Sequence, residues 1–284
     1  MQQHTIKNAI SLQGIGLHSG KPAHIELRPA PINTGIVFRR VDLKPMVSIK
    51  AIPENVQETV LCTTLCEHKV KIATVEHLMA ALAILCVDNI YIDVVGSEIP
   101  VMDGSAAPFV FAIKSTGIKE QKAIRRYISI KKTIKINHKD AYAEFSPAVN
   151  QQVLDVSICF KHPIIAKSSQ TLTMEFNSDI FVRELSRART FGFAEDLDQL
   201  KANNLALGAS LENAVGLTHQ SILNPEGLRY QDEFVRHKLL DALGDLYVLG
   251  PIEGIFKAHK SGHKLNNQLF RALLADKNAW IYVN

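Results

Sequence analysis

The stretch EFVRHKLLDALGDLYVLG, Glu233 to Gly250, decides how the rest of the chain is read. On a helix, His237, Asp241 and Asp245 lie four apart and form one line along the surface, while Leu239, Leu243 and Leu246 define a neighbouring apolar face. An imidazole and a carboxylate one turn apart can hold a Zn²⁺ ion, which takes nitrogen and oxygen ligands at about 2.0–2.2 Å. The same spacing also suits a solvated stripe in which Glu233, His237, Asp241 and Asp245 make i,i+4 pairs, and spacing alone leaves both readings open.

A catalytic zinc usually has three protein ligands and one open position, so a second segment must supply a donor. Thr74-Val75-Glu76-His77 is the best candidate. Val75, Leu78, Met79, Leu82 and Leu85 follow helical spacing, with Thr74 expected as N-cap and His77 in the first turn. Glu76 beside it could take a proton from the attacking water, although a capped helix start with a dipole-compensating Glu explains the same letters. A third segment, Lys260-Ser261-Gly262-His263-Lys264, reads as a loop between helix-like stretches. If His263 faces Asp245, the carboxylate favours the imidazolium, a cation able to stabilise an oxyanion and protonate a leaving amine. Lys238 would add a further positive charge, or simply be solvated.

The remaining chain reads as strands and helices in sequence. Ala23 to Leu27, Ile36 to Arg40, Asn89 to Val95, Tyr127 to Ile136, Ala141 to Phe145 and Val153 to Phe160 alternate as strands. Helices are expected at Ile180 to Arg187 and Glu233 to Leu249. Gly14 to Gly20 lacks GxGxxG spacing and reads as a hairpin turn with His18 exposed; Met102 to Pro108 reads as a turn and helix entry. The polar, basic segment 114–126 is the expected linker between domains 1–120 and 126–284, and the element order favours α+β over a doubly wound parallel sheet.

Over 284 residues, 46% hydrophobic and 21% charged, the composition excludes global disorder; 32 basic against 28 acidic side chains, +4, is too mild to imply a nucleic-acid partner. Cys62, Cys66, Cys86 and Cys159 lack CxxC spacing, so no disulfide scaffold is expected, Cys62 and Cys66 read as buried small hydrophobes, and a reducing cytoplasm is the simplest compartment. The longest obvious apolar stretch, Leu78 to Val87, is too short to span about 30 Å of hydrocarbon as a helix, so no transmembrane segment is expected.

Seven stretches taken in order, QGIGLHSG (13–20), RPAPINTGIVFRR (28–40), TVEHLMAAL (74–82), EIPVMDGSAAPF (98–109), SRARTFGF (186–193), EFVRHKLLDALGDL (233–246) and KSGHKLNN (260–267), run through nearly the whole chain. Together they resemble the bacterial UDP-3-O-acyl-N-acetylglucosamine deacetylases, the zinc enzymes of lipid A biosynthesis. The resemblance implies His77, His237 and Asp241 as ligands of one catalytic Zn²⁺. It further implies Glu76 as general base, His263 as charged electrophile or acid oriented by Asp245, and Lys238 and Thr190 at the reacting carbonyl. All eight residue types are present. Two similar α+β domains with their helices sandwiched between their sheets are implied as well.

The implied substrate carries a fatty acyl chain and a nucleoside diphosphate. Family analogy puts the acyl passage in Phe191 to Gly216, where Leu197, Leu200, Leu205, Ala206, Leu207, Ala209 and Ser210 are candidates, though an amphipathic helix packed on the core would look similar. Lys238, His263, Phe160 and Lys161 are the candidates for the diphosphate and uridine. A monomer acting on this small molecule is expected. The ligand set alone would equally suit a zinc amidohydrolase for another N-acylated sugar, and a carrier of lipidated nucleotides is the non-enzymatic alternative.

Overall fold

The computed structural model describes residues 1–284. The first half runs β1 (Gln2–Ile6), β2 (Ile10–Ile15), β3 (Pro22–Pro29), β4 (Ile36–Arg40), β5 (Val47–Lys50), β6 (Val56–Glu58), β7 (Thr64–Glu67), β8 (Val70–Ile72), α1 (Glu76–Ile84), β9 (Ile90–Val95), α2 (Ala107–Thr116) and β10 (Ile118–Ile124). The second runs β11 (Tyr127–Ile130), β12 (Ile134–His138), β13 (Ala141–Ser146), β14 (Gln152–Ser157), α3 (Pro163–Ala166), β15 (Thr171–Glu175), α4 (Ser178–Glu184), β16 (Phe191–Phe193), α5 (Leu197–Ala202), β17 (Val215–Leu217), α6 (Glu233–Leu246), β18 (Ile252–His259), α7 (His263–Ala275) and β19 (Trp280–Val283).

The architecture is α+β. A five-stranded sheet, ordered β2-β3-β9-β4-β5, faces a seven-stranded one in which β18 pairs with β13, β14 and β11. Most strands alternate buried and exposed, as β18 does, because one face of each sheet is covered. The helices form the inner layer: α2 lies on β2, α6 and α7 lie on β12 to β15, and α1 packs on α6. One hydrophobic core joins the layers, drawing Phe38 and Ile92 from the first sheet, Phe145 and Phe256 from the second, and Leu78 and Leu243 from α1 and α6. Every residue of α1 is buried, as a helix that is apolar nearly all round must be. No helix is long and apolar enough to cross a membrane.

The α1–α6 contact is unusually close, and one residue permits it. A Cβ built on Gly244 would fall 2.0 Å from the Glu76 carbonyl oxygen. With hydrogen there instead, the start of α1 rests directly on the backbone of α6.

Several local expectations are corrected. Tyr127 to Ile136 is two strands, since β11 pairs with β18 and β19 whereas β12 pairs with β13, with exposed Lys131 to Thr133 between. Thr74 does not cap α1; its φ is +59° and its hydroxyl donates to Glu98 Oε1 at 3.0 Å. Segment 114–126 is ordered structure, the end of α2 followed by β10, which pairs antiparallel with β1. His263 opens α7 directly after β18 and a short connection, so it is not in a loop between helices.

Replacing Gly by Ala inside a helix normally stabilises it by about 0.5–1 kcal/mol. For Gly244→Ala the opposite is expected, a loss of about 1–3 kcal/mol from overpacking against α1. Urea unfolding of the metal-free protein measures the sign, and a stabilised variant would show that the close approach is not a constraint.

Candidate metal centre

Helix α6 lines up His237, Asp241 and Asp245 on one side, all buried, with Arg236 and Lys238 the only residues of that helix not fully covered. The line is therefore not a solvated stripe. Glu233, its first residue, is engaged instead by Arg189, whose backbone N–H and Nε donate to Glu233 Oε1 at 3.0 and 2.9 Å. That ion pair holds segment 188–190 against α6, and His237 Nδ1 donates to the Ala188 carbonyl at 3.1 Å. Helix α1 then brings in His77. Its Nε2 lies 3.4 Å from Asp241 Oδ1, and His237 Nε2 lies 3.3 Å from the same oxygen. One donor atom from each of the three residues falls within 4.8 Å of the others.

This set fits a divalent cation on its own chemistry. Burial pushes His237 down to about 3, overriding the pull of Asp241, so the ring is neutral. With its proton on Nδ1, its Nε2 lone pair faces a carboxylate oxygen, acceptor against acceptor. Asp241 Oδ1 is buried and has no hydrogen-bond partner. Burial would raise Asp241, but His237, Lys238 and His77 hold it well below the usual carboxylate range. A cation between these atoms satisfies all of them; the other oxygen, Oδ2, already accepts from Lys238 Nζ at 2.6 Å.

Beside this cluster stand two further carboxylates and an imidazole. Glu76, also in the first turn of α1, is raised by burial, with His263 and His77 pulling the other way. Asp245 accepts from His263 Nδ1 at 2.9 Å, from Asn266 Nδ2 at 2.9 Å and from the Thr63 hydroxyl at 2.6 Å. Burial works against charge on His263, but Asp245, aided by Glu76 and Asp241, pushes it up to about 9. The two imidazoles thus differ: His237, donating to a carbonyl, is neutral, and His263, donating to a carboxylate, is cationic at neutral pH.

A cavity of about 800 Å³ opens from this cluster. Thr190, Lys238, His237 and His263 line it, as do Phe160, Phe191, Leu197, Leu200, Ala206, Ala209 and Ser210. Lys161, Leu205 and Leu207 do not, and Lys161 is exposed. Segment 191–217 is not a single amphipathic helix: β16 and β17 pair in parallel, α5 buries no residue, and the chain between α5 and β17 docks on the 14–20 turn. There Leu207 and Gly208 donate to the carbonyls of His18 and Leu17, and a Cβ on Gly208 would sit 2.3 Å from the Gly16 oxygen. The turn is the expected hairpin, but His18 is half-buried, covered by this segment, and lines the cavity. Cys62 and Cys66 are buried free thiols, Cys62 pushed up to about 12 by burial and by the charge of Glu76.

Two imidazoles and a carboxylate able to hold a metal ion, with a buried carboxylate and a charged imidazole alongside, define a metal-dependent hydrolase. The chain belongs to the UDP-3-O-acyl N-acetylglycosamine deacetylase family, whose family model matches residues 3–275. It is 52% identical over 286 residues to the UDP-3-O-acyl-N-acetylglucosamine deacetylase of Hydrogenovibrio crunogenus, covering 99% of this chain and 93% of that protein. The proteins of the same name from Shewanella violacea and Thioalkalivibrio sulfidiphilus are 53% and 51% identical, each aligned over 99% of this chain and 92% of the relative. The family is one of metalloenzymes.

Sequence reasoning missed Thr63, Asn266 and His18 as parts of this centre. Asn266 was findable, since it lies one helical turn after His263 once α7 is seen to begin there. Asp241→Ala is expected to lower divalent-ion affinity more than about 100-fold, beyond what an outer partner costs. Calorimetric titration of metal-free protein checks this, and unchanged affinity would remove Asp241 from the ligand set.

Proposed function

We propose that the protein hydrolyses the N-acetyl group of a UDP-3-O-acyl-N-acetylglucosamine, releasing acetate and the free amine, as a step of lipid A biosynthesis. One Zn²⁺ per chain, held by His77, His237 and Asp241, is the proposed cofactor. The observation that carries this reading is the buried acceptor cluster at the inner end of an apolar cavity. In this reading residues 1–120 form a domain supplying Glu76 and His77, and residues 126–284 a domain supplying the rest. Because all three ligands come from one chain, the proposal needs only a monomer, and it puts the reaction in the cytoplasm, where UDP-sugars and reduced thiols are expected.

A bound Zn²⁺ supplies the Lewis acidity that makes water reactive near neutral pH and polarises the acetamide carbonyl. The protein's part is to move protons and hold charge. Glu76 Oε2 accepts from the Thr63 N–H at 3.0 Å, and its other oxygen has no protein hydrogen bond. Raised by burial, Glu76 is suited to accept a proton from the attacking water as the C–O bond forms. His263, charged and oriented by Asp245, balances the oxyanion together with Lys238 and Thr190. As the C–N bond breaks, the amine nitrogen takes a proton from His263 or from Glu76. The phenylalanines Phe160 and Phe191, ring centroids 5.6 Å apart, and the Leu and Ala side chains of segment 191–217 supply apolar surface for the acyl chain. Each buried methylene contributes about 0.8 kcal/mol, roughly fourfold in affinity.

Turnover of the UDP-linked acylated N-acetylglucosamine is expected, with kcat/KM falling steeply as the acyl chain is shortened. In Glu76→Ala, turnover should fall about 10²–10⁴-fold with metal content unchanged. Indifference to acyl length would favour a general N-acyl-sugar amidohydrolase, and near-normal turnover in the variant would reassign the base.

The pH profile tests His263. Its cation is required, so activity is retained below its pKa and lost as pH rises through it. Asp245 raises that value. Asp245→Asn should therefore move the basic limb of kcat/KM to lower pH, and an unmoved limb would assign it to another group.

A further inference from the structure

We propose that Thr63 is a positioning residue that ties the general base to the partner of the charged imidazole, fixing the two proton-handling groups relative to each other. The proposal rests on the deacetylase reading above. Thr63 lies in the turn between β6 and β7, 3% exposed. Its three polar groups all reach other elements. The carbonyl accepts from Val75 N–H at 3.3 Å, at the entry to α1. The N–H donates to Glu76 Oε2 at 3.0 Å, and the hydroxyl donates to Asp245 Oδ1 at 2.6 Å on α6.

The distribution of donors makes this residue different from its neighbours. Glu76 accepts no other protein hydrogen bond. Asp245 accepts from His263 and Asn266, both on α7, so Thr63 is its one donor from the first half of the chain. Without that hydroxyl, Glu76 is oriented from one half and the Asp245–His263 pair from the other. A carboxylate must accept, so the hydroxyl proton is committed to Asp245. Thr63 is not among the residues lining the cavity and so does not touch substrate. Its loss should act on kcat and leave KM alone.

Valine keeps the shape of threonine without the hydroxyl, and serine keeps the hydroxyl. In the zinc-loaded enzyme, Thr63→Val is expected to lower kcat at least about tenfold, as for a lost hydrogen bond to a charged group, with KM within about twofold. Metal content should match the wild type, and Thr63→Ser should restore kcat to within about threefold. An independent readout needs no turnover. In metal-free protein, the His263 Nδ1–H proton resonance, assigned by its loss in His263→Gln, should move downfield in Thr63→Val because Asp245, short of one donor, accepts more strongly from the imidazole. It should stay in place in Thr63→Ser.

Normal kcat in Thr63→Val overturns the proposal. So does a Thr63→Ser enzyme as impaired as Thr63→Val, which would make shape the requirement, or loss of metal along with kcat. A wild-type enzyme that fails to deacetylate overturns the underlying reading instead, and an unmoved His263 resonance then overturns the tie itself.

Discussion

The contact between the start of α1 and the C-terminal half of α6 is the constraint on which the centre depends. His77 comes from a helix that is otherwise apolar, and His237 and Asp241 come from a helix more than 150 residues further along the chain. They meet because Gly244 presents no side chain where the Glu76 carbonyl passes. The cost is a set of buried polar groups that protein partners leave incomplete, Asp241 Oδ1 above all, which is unpaired. Such groups are expensive unless a ligand satisfies them.

Around that contact the protein separates its titratable groups by environment rather than by type. His237 and His263 sit in the same pocket, one neutral and one cationic, because one donates to the Ala188 carbonyl and the other to Asp245. Glu76 and Asp241 diverge likewise: burial raises the first, while His237 and Lys238 hold the second down. The acid, base and ligand roles proposed for these residues rest on that separation.

Much of this was legible in the letters. The four-residue spacing of His237, Asp241 and Asp245, and the Glu-His pair opening an apolar helix, were local signals that survived folding. What was hidden depended on tertiary partners. Alternation from Tyr127 to Ile136 continues across a change of neighbouring strand, so periodicity could not see the break at Lys131. His18 stands on a real hairpin, yet a segment nearly 190 residues away covers it. Thr63 carries no signal at all, one threonine between two short strands. His263 was misplaced because KSGHKLNN has a polar first turn, although Leu265, Leu269 and Leu273 keep the period that would have revealed α7.

The central claim is that one ion is held jointly by side chains from the two halves of the chain. X-ray absorption at the zinc edge on the loaded protein tests it most directly. The account predicts one zinc per chain with two imidazole nitrogens and carboxylate oxygen at about 2.0–2.2 Å and no sulfur. A spectrum showing thiolate ligation at about 2.3 Å, or only one imidazole, would contradict it.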